Sequence, residues 1–186
     1  NTQKEESLKL WKKEIIRFKE YLEEKFEVEI TEEQIREAIR IQNEGRRALK
    51  RLYEVMKNDP TPISGENLFN VLYGSTFKFD RKKLPEEVNA LTDKILKEYA
   101  EGKMEPKKKR ILVTGCPIGG ATVKVVKSIE SNGGVVVAFE NCSGAKSIDK
   151  LVDEDNPDEY DALARRYLNI GCSVMTPNPN RLELLG

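Results

Sequence analysis

The sequence predicts an α/β protein: a helical N-terminal arm followed by a partial Rossmann-like parallel sheet domain. Three observations predict it. Apolar residues in the first half recur at spacings of three and four, those of the second half fall in short unbroken runs beside glycine-rich turns, and a basic stretch holding Pro106 parts the two. The expected layout is a helical arm over residues 1–104, a linker over 105–110 and the sheet domain over 111–186, ending before its sheet is complete.

In the arm, Leu8, Trp11, Ile15, Phe18 and Leu22 mark one face of an amphipathic helix from Ser7 to Phe26, with Lys, Arg and Glu filling the rest. Thr31-Glu32-Glu33-Gln34 is a capping box, in which hydroxyl and amide satisfy each other's unpaired backbone N–H groups. It opens a second helix through Ile35, Ala38, Ile39, Leu49, Leu52 and Val55. Asn58-Asp59-Pro60 stops that helix. A shorter one follows Ser64, and Pro85 suits the first turn of another, Glu86 to Tyr99.

Beyond the linker the period changes. Ile111 to Thr114 is a continuous apolar run, expected as a strand buried on both faces, and the turn Gly115 to Gly120 leads into a helix from Ala121 to Ser131. Asn132-Gly133-Gly134 ends it, and Val135 to Phe139 is a second buried strand, completing a βαβ unit. Pro157 to Leu168 supplies a further helix, Cys172 to Thr176 a candidate third strand, and Thr176 to Arg181 a loop and helix cap.

Lys+Arg and Asp+Glu both number 32, so no field of one sign draws the chain to nucleic acid or an anionic bilayer. The basic run Lys107 to Arg110 reads as solvated linker and the carboxylates Glu23, Glu24, Glu32 and Glu33 as solvated helix faces. No apolar run is long enough for a spanning helix, the start lacks a secretory layout, and the expected address is cytoplasmic. With no initiator Met and a new helix beginning near Gly186, the chain reads as cut at both ends. Histidine is absent, which removes Ser-His and Cys-His nucleophile pairs and His-based zinc sites from this chain.

Three cysteines remain to be explained. Cys116, Cys142 and Cys172, with 25 and 29 residues between them, fit neither a disulfide framework nor compact CxxC metal knuckles. Cys116 follows the first strand and Cys142 the second, so both fall in Gly-rich loops at the carboxyl edge, where open α/β sheets place ligands. The plain reading is a small buried hydrophobe at each position; the functional one is thiolate ligation of an iron–sulfur cluster. The turn Gly115-x-x-x-Gly119-Gly120 has neither the GxGxxG spacing nor a GK[ST] ending, and reads better as a tight turn around Cys116 than as a phosphate cradle.

Three segments, Arg110 to Gly120, Val136 to Lys146 and Arg165 to Arg181, carry Cys-Pro, Glu-Asn-Cys and Pro-Asn-x-x-Arg in that order. Together they resemble the 2-hydroxyacyl-CoA dehydratase and benzoyl-CoA reductase family, in the manner of a dehydratase D-component, and within it the double-cubane-cluster branch. The resemblance is close over the sheet domain and loose over the arm.

It implies iron–sulfur clusters held by cysteines and single electrons received from an ATP-dependent activator protein. Those electrons drive low-potential reduction or radical dehydration of a small molecule such as an acyl-CoA. On that resemblance Cys116 and Cys142 are cluster ligands, Cys172 is a candidate third, and Gly119, Gly120 and Ser143 shape the pocket around the sulfurs. It also implies a homodimer or heterodimer for the full-length protein and further cysteines outside this chain. A cubane needs several converging thiolates, so this chain alone is expected to fold without a cluster and to be inactive.

The competing reading is a non-catalytic Rossmann-like scaffold or dimerisation module with structural cysteines. The two differ in cysteine burial: thiols scattered through apolar core favour the scaffold, and thiols facing a cleft favour the cluster.

Overall fold

The computed structural model describes residues 4–115, 120–172 and 174–185. Among them are eight α-helices and a two-stranded parallel sheet, an α/β architecture that is mostly helical. In chain order these are α1 (Glu5–Phe26), α2 (Glu32–Glu54), a 3₁₀ turn (Val55–Lys57), α3 (Gly65–Ser75), α4 (Leu84–Ala100), β1 (Lys109–Thr114), α5 (Gly120–Ser131), β2 (Gly134–Glu140), α6 (Ala145–Ile148), α7 (Glu159–Leu168) and α8 (Pro179–Leu185). Contacts group the chain into two compact units, Glu44–Asp149 and the combination of Asn1–Asn43 with Lys150–Gly186.

The unit Glu44–Asp149 has an ordinary apolar core. Leu52, Met56, Leu68, Phe69, Val126, Val136 and Phe139 are fully buried in it, and removing each such side chain from water contributes about 1.5–3 kcal/mol. Helix α3 starts where Ser64 accepts the Asn67 N–H, and Pro85 sits in the first turn of α4, as its missing N–H predicts. Strands β1 and β2 pair from Lys109↔Gly134 to Thr114↔Glu140, with α5 as the crossover.

The far edge of β2 is closed by side chains. The Val136 N–H donates to the Glu130 carboxylate, which also takes the Gly65 N–H at 2.7 Å, and the Phe139 N–H donates to the Tyr53 hydroxyl at 2.6 Å. Burial pushes the Tyr53 phenol up, against the pull of that N–H, so the hydroxyl stays neutral.

β1 differs from its expectation in two respects. It begins two residues earlier, taking in Lys109 and Arg110, and Arg110 gives its guanidinium to the carbonyls of Met56 and Asn58. Arg110 stays exposed all the same, as do Lys107 and Lys109, and Lys108 is half-buried. β1 is also not buried on both faces: Ile111 and Val113 are half-buried, while Leu112 is 48% exposed. An apolar run reveals that a strand is wanted, and tertiary neighbours decide which faces are covered.

The other unit pairs α1 with α7. Leu8 and Ile15 pack on Ala164, Leu168 and Met175, and a second cluster joins Ile35 and Ile39 to Val152, Ala162 and Leu163. The Thr31 capping box forms as expected, with both the Thr31 N–H to Gln34 and Gln34 N–H to Thr31 bonds present. On α1, Trp11 and Phe18 stay exposed while Leu22 is half-buried. Helix α7 starts two residues later than Pro157 because Asp158 caps it, accepting the Asp161 N–H.

The candidate third strand, Cys172 to Thr176, is not a strand among its described residues. Its backbone is taken up locally instead. The Cys172 N–H donates to the Ile170 carbonyl at 2.7 Å and the Met175 N–H to the Cys172 carbonyl at 3.0 Å, which folds the segment into turns. The helix cap expected after it is present: Asn178 accepts the Arg181 N–H and opens α8.

Candidate cluster-loop site at the sheet edge

The carboxyl ends of β1 and β2 lie side by side, as a parallel pair requires, and β2 leads into a short loop before α6. After β1 comes Gly115, whose φ of +127° suits glycine and few other residues. After β2 comes Asn141, itself buried, whose side-chain oxygen accepts the Ser143 N–H at 3.1 Å and whose carbonyl accepts the Gly144 N–H at 3.1 Å. These two bonds turn the chain sharply at Cys142. Gly144 then passes so close to the strand that an added Cβ would collide with the Phe139 carbonyl. The loop is thereby fixed at its neck, and Cys142 is left exposed with a free thiol.

Below that loop sits a buried ion pair. Glu140 and Lys146 face one another at 2.9 Å, both side chains only 3% exposed. The second carboxylate oxygen of Glu140 accepts the Thr114 hydroxyl at 2.6 Å and the Gly115 N–H at 3.4 Å, and Lys146 also donates to the Gly115 carbonyl at 3.2 Å. Burial pushes the Glu140 carboxyl up, but the donors Thr114, Lys146 and Gly115 and the Lys146 charge outweigh it and hold it below the usual glutamate range. Glu140 is therefore a carboxylate at neutral pH.

Of the residues expected to form the site, Cys142 and Ser143 lie on this loop, and Gly120 is the exposed first residue of α5. Cys116 and Gly119 lie outside the described residues. Cys172 belongs to the other unit, half-buried in the turn after α7, with its carbonyl accepting the Asn178 side-chain amide at 2.6 Å. Among the described residues no three Cys, Asp or Glu side chains converge as a metal site.

Neither Cys142 nor Cys172 belongs to the apolar core. The donor chemistry at the loop fits a soft cluster: an accessible thiol, no disulfide, and closely turned backbone around it.

The whole chain, residues 1–186, matches the family described as 2-hydroxyglutaryl-CoA dehydratase, D-component. The chain belongs to this family. It is also 47% identical over 176 residues to the Escherichia coli (strain K12) protein "Putative dehydratase subunit YjiM", an overlap that takes in 95% of this chain. The chain spans 46% of that relative's length. Within this D-component chain, Glu140, Lys146 and Thr114 were not singled out from the sequence. Their signal was a charge at each end of Glu140-Asn141-Cys142-Ser143-Gly144-Ala145-Lys146, a loop too short to leave two opposite charges far apart. Among the described residues no helix is long and apolar enough to cross a membrane.

Proposed function

We propose that this D-component chain presents cysteine ligands to an iron–sulfur cluster from the carboxyl edge of its βαβ unit, within an enzyme of the double-cubane-cluster branch. The observation that carries the reading is Cys142: an exposed, disulfide-free thiol on a loop fixed from below by buried groups. A packing cysteine would sit in apolar core, as the scaffold reading requires. Cys116 and Cys142 would hold the cluster, Cys172 would be a further ligand, and Gly119, Gly120 and Ser143 would line its surroundings.

When bound, such a cluster supplies low-potential single electrons, received from an ATP-dependent activator protein, for reduction or radical dehydration of a small molecule such as an acyl-CoA. The chain's own part is structural and electrostatic. Asn141 and Gly144 hold Cys142 outward, and the Glu140 charge is matched by Lys146 so that it adds no net charge beneath the loop. The full-length protein is proposed to act as a homodimer or heterodimer in the cytoplasm.

Iron and acid-labile sulfide, with the visible spectrum, test this on the full-length protein purified without oxygen. About eight irons per subunit are expected, with Cys116→Ser or Cys142→Ser removing half or more. A protein free of iron leaves the scaffold reading in place. The 186-residue chain made alone is expected to be colourless.

A further inference from the structure

The Glu140–Lys146 pair bears on more than the stability of its unit. Its two members stand at the two ends of the loop that carries Cys142, with Glu140 two residues before the thiol and Lys146 four after. The same two side chains grip Gly115, the residue before Cys116, by both of its backbone polar groups. The Gly115 N–H goes to the Glu140 carboxylate at 3.4 Å and the Gly115 carbonyl accepts Lys146 at 3.2 Å. The Thr114 hydroxyl adds a third tie, at 2.6 Å.

We propose that Glu140 and Lys146 are positioning residues: a clamp that closes the base of the Cys142 loop and fixes it against Gly115, the residue that precedes Cys116 in the sequence. The proposal rests on the reading that these two cysteines serve one cluster.

The physical argument is one of alternatives. A buried ion pair is costly to desolvate, and well-packed apolar side chains of similar size are often as stabilising. What apolar side chains lack is direction. A carboxylate with two acceptor oxygens and an ammonium with three donors satisfy Thr114, the Gly115 N–H and the Gly115 carbonyl at once, and they do so in a single arrangement of Gly115 against the Cys142 loop. Backbone bonds alone supply less. Past the Thr114↔Glu140 pair, the Gly115 N–H is shared between the Glu140 carbonyl at 3.3 Å and the Glu140 carboxylate, and the carbonyl bond is the last backbone tie between the strands among the described residues.

The test reads thiols in the metal-free, full-length protein, so it does not depend on cluster content. Peptide-resolved mass spectrometry would follow formation of the Cys116–Cys142 disulfide against a glutathione redox buffer, which gives the effective concentration of one thiol at the other. The variants are Lys146→Met, the double variant Glu140→Leu/Lys146→Met, and Thr114→Val. The double variant leaves no buried charge without a partner and keeps the unit folded, which circular dichroism checks.

A clamp predicts at least a tenfold fall in effective concentration in the single and double charge variants, and a two- to threefold fall in Thr114→Val, which removes one tie at an exposed position and folds normally. A double variant or Thr114→Val within the error of the wild type overturns the proposal, because a merely stabilising pair would leave the thiol spacing untouched in a folded protein. Absence of iron from the wild-type protein would instead remove the cluster reading and leave the thiol measurement as it stands.

Discussion

The two compact units are held together by different means. Glu44–Asp149 rests on one continuous apolar core in which Phe69, Phe139, Leu52 and Met56 are fully buried, and the buried Glu140–Lys146 pair sits at the sheet edge. The unit of Asn1–Asn43 and Lys150–Gly186 has two small apolar clusters and relies on polar stitches. Arg36 reaches Glu159 at 2.6 Å and the carbonyls of Asn156 and Pro157, Lys12 pairs with Asp158, and Asn43 holds both backbone groups of Val152. The difference teaches where tolerance lies. An apolar core leaves the rigid sheet edge free to carry a chemically specialised loop, whereas a stitched unit depends on each of its directional contacts.

The sharpest way to draw the contrast is Phe139→Ala. Phe139 is wholly buried at the end of β2 against Phe69, and truncation should cost about 3–5 kcal/mol, through lost transfer energy and the cavity left behind. Urea unfolding followed by circular dichroism measures that loss. Trp11, the one tryptophan of the chain, lies in the other unit, and its fluorescence midpoint should move much less. Equal shifts in both signals would break the comparison, since they would make the two units a single cooperative whole.

The stitched unit should fail next, at Asn43. This residue is fully buried in α2, and its amide pairs with Val152 as a strand neighbour would: Nδ2 donates to the carbonyl at 2.7 Å and Oδ1 accepts the N–H at 3.0 Å. Asn43→Ala leaves two buried backbone groups without these bonds and should cost about 2–3 kcal/mol, seen in the Trp11 signal. A loss below about 0.5 kcal/mol would mean that water replaces the amide and that the stitch is dispensable.

What could be read in advance follows the same line. The Thr31 capping box, Pro85 in the first turn of α4 and the βαβ unit were legible because each depends on residues close in sequence or on a change of apolar period. Cys172 to Thr176 misled because a short apolar run is also compatible with turns, and the bonds from Cys172 to Ile170 and from Met175 to Cys172 win there over any strand pairing. The exposure of Leu112 was out of reach, since an apolar run does not say what covers it. At the candidate site, Cys142 and its Gly-rich loop could be picked out, whereas Glu140 and Lys146 left only the weak signal of opposite charges at the two ends of one short segment. Charges six apart share no helix face, and solvation is the ordinary fate of such residues. Burial and the Thr114 and Gly115 bonds are what set them apart.

The smallest expected effect tests the stitches by pH. Asp158 caps α7 and pairs with Lys12; the Lys12 hydrogen bond, then the Asp161 N–H, hold its carboxyl below the usual aspartate range, and Asp161 is lowered likewise by Arg165 and Asn156. A carboxyl lowered in the folded state contributes stability that is full above the unfolded-chain value, about 3.9, and fades as pH falls through the lower folded value. Lys12, raised by Asp158, sets the opposite limit, so its share fades only as pH rises above the usual lysine range. Both side chains of the pair are about one-third exposed, so solvent screening keeps the contribution under about 1 kcal/mol at neutral pH. Asp158→Asn keeps a capping side chain and removes the charge. The Trp11 urea midpoint should therefore change little at pH 7, and its decline as pH falls below the usual aspartate range should become shallower. An unchanged acid slope would overturn this assignment and place the acid sensitivity of the unit outside the Lys12–Asp158 pair.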